Sequence, residues 1–182
     1  MIRFAISRAL FEAFPTALQD VGAEPTDAAP LEYLQSLADR GELDKAATFC
    51  AYMLPRREAV SWGCWCVRKL AEKLPPQEEA SLRAAEDWVS VPEEACRIAA
   101  LELGMRSNFG WPSTWLALAA GWSGGNILLG VQATATAPPE QTAKAVRAAV
   151  LTAKARLAPA QRNEGLRTCI DAAIRIATDR GL

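Results

Sequence analysis

The chain has 182 residues, a formal net charge of −1 and a hydrophobic fraction of 51%. A chain of this length usually forms one domain with a substantial core, and the composition excludes an intrinsically disordered protein. The small net charge disfavours a general nucleic-acid binder. Because histidine is absent, the sequence also excludes Ser-His and Cys-His catalytic pairs, histidine metal sites and histidine pH switches. We therefore expect a non-enzymatic protein that uses no cofactor and binds no nucleic acid.

The N-terminal segment is not typical of a secretory signal. Arg8 and Glu12 interrupt the apolar run that such a signal requires. The cysteines number five, which is odd, and nothing in the sequence suggests export to an oxidising compartment. These observations predict a cytoplasmic protein with reduced cysteines.

The stretch from Ser107 to Pro139 contains no charged residue, which raises the question of a membrane span. A spanning helix needs about 20 predominantly apolar residues. Here the sequence Ser-Gly-Gly-Asn at 123–126, which is typical of turns, divides the apolar run into two short pieces. We therefore expect a buried helix followed by an inner loop, and no membrane insertion.

Alanine, the best helix former, is the commonest residue, and alternating strand-like runs are missing. Apolar residues at helical spacing, separated by proline and glycine, predict about eight helices packed as antiparallel pairs. The predicted segments in chain order are a helix within 4–18 and a loop to 29, then helices near 30–41, 43–54, 55–74, 78–89, 91–104, 112–122, 143–157 and 166–177.

We expect one compact all-α domain across residues 1–182. Its predicted parts are an N-terminal helix and loop (1–29), central helices (30–132), a linker (133–139) and a C-terminal helical pair (140–182). Two local signals concern the helix near 91–104. Ser90 and Glu93 stand at the spacing of a capping box, in which each side chain bonds the backbone amide of the other residue. Gly104 is expected to end the same helix.

Two arginines, Arg56 and Arg57, open one of the predicted helices. Cations are mildly unfavourable near a helix N-terminus, so these side chains are expected to interact with something outside their own helix. One alternative is ion pairing with the upstream acidic residues Glu32, Asp39 and Glu42. Another is contact with an acidic partner. A phosphate site is the third alternative, although no glycine-rich loop precedes the helix.

The same helix carries Trp62 and Trp65 on the face opposite its main apolar stripe. Apolar residues on both faces indicate either a helix buried on two sides or one that offers a face to a partner. Tryptophan is common both in cores and in binding hot spots, so core and interface are both alternatives. We take Arg56, Arg57, Trp62 and Trp65 as the predicted partner-contact residues.

Two further motifs concern a possible metal site and a possible anion site. Cys64 and Cys66 lie two residues apart on a predicted helix, where their side chains point in different directions, so we expect buried thiols and no metal site. The segment 124–126, Gly-Gly-Asn, would suit either an anion-binding backbone nest or a structural turn. We expect the turn.

The segment 30–67 resembles a bacterial family of helical proteins of unknown function that are often encoded beside type VI secretion genes. The resemblance rests on P-x-E-Y-L from Pro30, on L-P-R-R-E-A-V-S-W from Leu54 and on W-S-G-G from Trp122. It covers most of the chain in order. One departure is Gly63, where the family usually carries a bulkier or alanine-like residue.

The resemblance implies no enzymatic activity. The gene neighbourhood of the family implies a cytoplasmic adaptor or co-chaperone that helps to load an effector, an effector chaperone or a spike-tip protein onto the secretion apparatus. An immunity protein that neutralises a toxin is the alternative. A helical body with spare tryptophan and arginine side chains is compatible with protein recognition.

Overall fold

The computed structural model describes residues 2–71, 73–127 and 134–179. These residues form ten α-helices and no β-strand, so the all-α prediction is confirmed, with ten helices where about eight were expected. The helices are α1 (Ser7–Ala13), α2 (Ala17–Val21), α3 (Pro30–Asp39), α4 (Leu43–Met53), α5 (Arg56–Leu70), α6 (Pro76–Ser90), α7 (Glu94–Arg106), α8 (Pro112–Gly121), α9 (Gln141–Ala155) and α10 (Pro159–Ala177).

Three consecutive helices, α3 to α5, begin and end close to where the sequence signals place them. Pro30 is the first residue of α3, a position that suits its fixed φ and its missing N–H. α3 ends at Asp39, two residues before Gly41, and α5 begins directly after Pro55. The bounds predicted for these helices are confirmed to within about one helical turn.

The N-terminal region and the α6–α7 connection differ from the sequence prediction. The single helix expected within 4–18 is two short helices, because Pro15 removes a backbone donor and disfavours a helical conformation at the residue before it. The expected capping box is wrong. Ser90 is the last residue of α6, and Glu93, the N-cap of α7, forms no side-chain cap hydrogen bond.

Gly104 does not end α7, which continues to Arg106. It lies instead where α7 approaches α8, because a Cβ at Gly104 would be 2.9 Å from Cγ of Leu118. Gly121 of α8 approaches α7 in the same way, since its Cβ would be 2.6 Å from Cβ of Leu101. These two glycines permit the close packing of α7 on α8.

The helix at the centre of the packing is α8. It contacts α5, α6, α7 and α9, and its residues from Leu116 to Gly121 are all buried. A helix that is apolar all round is stable in water only where other helices cover it. Within the described residues, no helix combines the length and apolar character that crossing a bilayer requires.

Helices from the beginning and from the end of the chain pack against the same helix, α4. α4 contacts α2 and α3, and it also contacts α9 and α10. Nζ of Lys154 on α9 donates to both carboxylate oxygens of Asp44 on α4, at 2.6 and 2.9 Å. In the predicted linker, residues 134–139 form no helix, and residue 133 lies outside the described residues.

Candidate functional site

The two arginines that open α5 bond to backbone carbonyls. Nη1 of Arg56 donates to the carbonyl oxygen of Ser123 at 2.8 Å, and its Nη2 donates to that of Pro139 at 3.3 Å. Nε of Arg57 donates to the carbonyl oxygen of Val89 at 2.7 Å. Within the described residues neither arginine forms an ion pair, so the acidic side chains upstream are not their partners. The positive charges of Arg56 and Arg57 therefore have no carboxylate counter-charge within the described residues.

Trp62 lies in the core. Its side chain is 0% exposed, and its indole Nε1–H donates to the carbonyl oxygen of Cys169 on α10 at 2.7 Å. The core alternative therefore holds for this residue, and Trp62 offers no surface to a partner. The helical pattern of α5 could not show this, because the carbonyl group that accepts the indole hydrogen bond is 107 residues further along the chain.

Trp65 is partly exposed and lies beside a groove. The groove has a volume of about 250 Å³ and runs between α5 and α6. The guanidinium carbon of Arg175 on α10 lies 6.0 Å from the centroid of the indole ring, within the range of a cation–π contact. We call this site the Trp65 groove, and its lining residues are Ser61, Cys64, Trp65, Arg68, Glu86, Val89 and Ser90.

Arg68, the cation among the lining residues, is neutralised by glutamates. Arg68 donates to Oε1 of Glu86 at 2.5 Å and to Oε1 of Glu79 at 3.1 Å. Hydrogen bonds from Arg68 and then from Arg83 lower the pKa of Glu79, and the two glutamates raise the pKa of Arg68. This end of the Trp65 groove therefore carries no excess positive charge.

The buried cysteines form a packed thiol cluster in the core. Cys50, Cys66 and Cys169 come from α4, α5 and α10, and all three are buried. Burial, and then a hydrogen bond with Cys169, raises the pKa of Cys66; burial also raises the pKa of Cys64. A thiol in such surroundings stays protonated and unreactive. Within the described chain, no three His, Cys, Asp or Glu side chains are placed to hold a metal ion.

The Gly-Gly-Asn segment forms a turn that is fixed by Arg97 of α7. Nη1 of Arg97 donates to the carbonyl oxygen of Gly121 at 2.5 Å, and Nη2 donates to that of Asn126 at 2.9 Å. Both oxygens of Glu94 accept from the same guanidinium, at 2.7 and 2.6 Å. The guanidinium of Arg97 therefore binds carbonyl groups at the end of α8 and in the Gly-Gly-Asn segment, which agrees with the expected structural turn.

An exposed aromatic corner, which the sequence patterns did not predict, lies between α7 and α8. Phe109 is 49% exposed and Met105 is 55% exposed. Trp115 holds this corner in place, since its Nε1–H donates to the carbonyl oxygen of Phe109 at 2.9 Å and the two rings pack edge to face at 5.6 Å. The available signal was the sequence N-F-G-W-P-S-T-W, in which aromatic residues stand in and beside a helix-to-helix connection.

Comparisons with known proteins give one match. The model of a family of unknown function, DUF6931, matches residues 33–177, which contain all four predicted partner-contact residues and both exposed aromatic sites. No curated protein and no solved structure matches the chain. Because the family model spans most of the sequence, from α3 to the end of α10, the chain belongs to the DUF6931 family of unknown function.

Proposed function

We propose that this protein is a non-enzymatic binding module that acts as an accessory adaptor or co-chaperone for effector loading in a type VI secretion system. The observation that carries the proposal is the Trp65 groove. Its lining includes the partly exposed Trp65, and the guanidinium of Arg175 lies over the indole ring. The type VI context comes from the resemblance of the sequence around L-P-R-R-E-A-V-S-W to proteins encoded beside such secretion genes.

The Trp65 groove has the features of a binding hot spot. Tryptophan and arginine are enriched at such sites, where a fixed aromatic side chain provides contact area at a small entropic cost. Trp65 is fixed because α5 packs against α6 and α10 on either flank of the residue. Arg57 is also held in place by its bond to Val89, so both side chains have already lost much of their conformational freedom before a partner arrives.

Affinity capture from the native host tests the proposal. The full chain is used as bait beside a Trp65→Ala variant and a Leu18→Ala variant, which truncates an exposed side chain on α2. We expect the wild type and Leu18→Ala to retain an effector, an effector chaperone or a spike-tip protein, and Trp65→Ala to lose it while its circular dichroism spectrum is unchanged.

Two outcomes would contradict the proposal. Recovery of no secretion, effector or chaperone protein by the wild-type chain would count against the adaptor role. Relief of the toxicity of a neighbouring toxin gene by this chain, together with direct binding to that toxin, would identify an immunity protein in place of an adaptor.

A further inference from the structure

We infer that the Trp65 groove binds an acidic segment of the partner protein. In this arrangement a bulky apolar side chain of the segment lies against Trp65, and carboxylates of neighbouring residues in the segment pair with Arg57 and Arg175. The inference rests on the proposed function, because it specifies the chemistry of the partner at the same site.

The size and lining of the groove suit a peptide side chain. Its volume of about 250 Å³ lies below the range of about 300–1,000 Å³ that is usual for small-molecule pockets. Cys64, Trp65 and Val89 provide the apolar part of its lining, and the groove is open to solvent. An extended or helical segment can therefore insert one apolar side chain while its flanking residues remain at the rim.

The charge around the groove favours an acidic segment. Arg57 stands at the α6 side of the groove, bonded to Val89, and Arg175 lies over Trp65 on the α10 side. In the part of the chain that the structure describes, neither guanidinium has a carboxylate within ion-pair distance, although Asp171 stands one turn before Arg175 on α10. Arg68, by contrast, is already paired with two glutamates. The uncompensated positive charge therefore belongs to Arg57 and Arg175.

The geometry of Arg57 supports carboxylate binding. Its Nε–H is used by the carbonyl oxygen of Val89, which fixes the plane of the guanidinium. In the described structure the two Nη groups of Arg57 make no hydrogen bond to protein atoms. A guanidinium whose Nη groups are free can donate two hydrogen bonds to one carboxylate, an arrangement stronger than a single neutral hydrogen bond.

Selection from an unbiased library of random dodecapeptides, displayed against the full chain, tests the inference. We expect the enriched peptides to carry aspartate or glutamate on both sides of a leucine, phenylalanine or tryptophan. Calorimetric titration of one enriched peptide should then show at least about tenfold weaker binding to Arg57→Glu and to Arg175→Glu, which is about 1.4 kcal/mol. Binding to the wild type should weaken as salt is added.

Matched variants separate lost contacts from lost folding. Arg106→Glu makes the same charge change on an exposed side chain of α7 and should bind the peptide within about twofold of the wild type. Arg57→Lys keeps the charge but loses the planar donor pair, so its affinity for the peptide should lie between those of the wild type and Arg57→Glu. Thermal melts followed by circular dichroism establish that each variant is folded.

The outcomes distinguish this inference from the proposed function. Three outcomes would overturn the inference that the bound segment is acidic. They are enrichment of no peptide, enrichment of peptides without acidic residues, and equal binding of an enriched peptide to Arg57→Glu and the wild type. Competition by a single-stranded oligonucleotide as strong as that by the peptide would also overturn it. If Arg57→Glu and Arg175→Glu still capture the host partner, the proposed adaptor role is retained and only the inference that the bound segment is acidic fails.

Discussion

Gly125 lies directly against the guanidinium of Arg97: a Cβ placed on Gly125 would be 2.7 Å from Nη2 of that arginine. Arg97 is itself almost fully buried, and it joins α7 to the end of α8 and to the turn that follows. The absence of a side chain at Gly125 is therefore part of how this arginine is accommodated.

Substitution of Gly125 by alanine should destabilise the protein. The residue has a φ of +63°, which alanine adopts only with strain, and the new Cβ would displace Arg97. We expect the free energy of unfolding to fall by about 2–3 kcal/mol in urea denaturation. Gly124→Ala is the matched control, because a Cβ there meets no atom within 4 Å, and it should change stability by less than about 0.5 kcal/mol. Equal effects of the two substitutions would contradict the packing described.

The two tryptophans of α5 should respond differently to phenylalanine. Trp62→Phe removes a buried hydrogen bond to Cys169 and leaves unfilled volume in the core, so we expect a loss of about 2–4 kcal/mol in the free energy of unfolding. Trp65→Phe changes a partly exposed side chain and should cost less than about 1 kcal/mol. Chemical denaturation measures both. A larger loss for Trp65→Phe would reverse the assignment of core and surface.

Acid should weaken the Glu94–Arg97 pair. Hydrogen bonds from Arg97 lower the pKa of Glu94 from its ordinary value of 4.5. A carboxylate whose pKa is lower in the folded state stabilises the protein above the ordinary pKa, and this contribution disappears as the pH falls through the lowered value. We therefore expect Glu94→Gln to reduce stability at neutral pH and to flatten the decline of stability below about pH 4.5.

The measurement for this pair is the free energy of unfolding as a function of pH. The neighbouring substitution Glu93→Gln is the control, since Glu93 forms no ion pair in the described residues. If Glu94→Gln and the wild type lose stability in parallel as the pH falls, the pair does not contribute to the acid dependence.

The five cysteines should differ in reactivity. Cys96 is partly exposed, whereas the other four are buried, and burial raises the pKa of the Cys64 and Cys66 thiols. Because the thiolate is the reacting form, a chromogenic disulfide reagent should label Cys96 quickly in the native protein and all five cysteines in denaturant. Cys96→Ser should abolish the fast phase. Two or more fast thiols in the native protein would show that the core is open.

The sequence predicted the helices better than it predicted their connections. Apolar spacing and the positions of proline place α3, α4 and α5 correctly, because those signals act within one helical turn. The capping-box pattern at Ser90 failed because the hydrogen bonds of α6 continue through that residue. The glycine signal for a helix end at Gly104 was wrong, because the role of this residue depends on Leu118 of another helix, which no local pattern contains.

The candidate site was predictable only in part. The sequence indicates α5, but Trp62 and Trp65 have the same residue type and lie three positions apart, so the packing of other helices against α5 decides which of them is covered. The exposure of Phe109 was not predictable from helical spacing, because it results from the bend between α7 and α8, outside any helical repeat. Long-range packing, which short-range patterns do not encode, determines both the burial of Trp62 and the exposure of Phe109.

The bond from Trp62 to Cys169 has a consequence for biosynthesis. Until α10 has emerged from the ribosome, the indole N–H of Trp62 lacks its acceptor, and the surface of α5 that packs against α10 stays uncovered on the growing polypeptide. A translation product that stops short of α10 would keep the same face exposed, and it would therefore be a substrate for cellular quality control even though most of its helices had been synthesised.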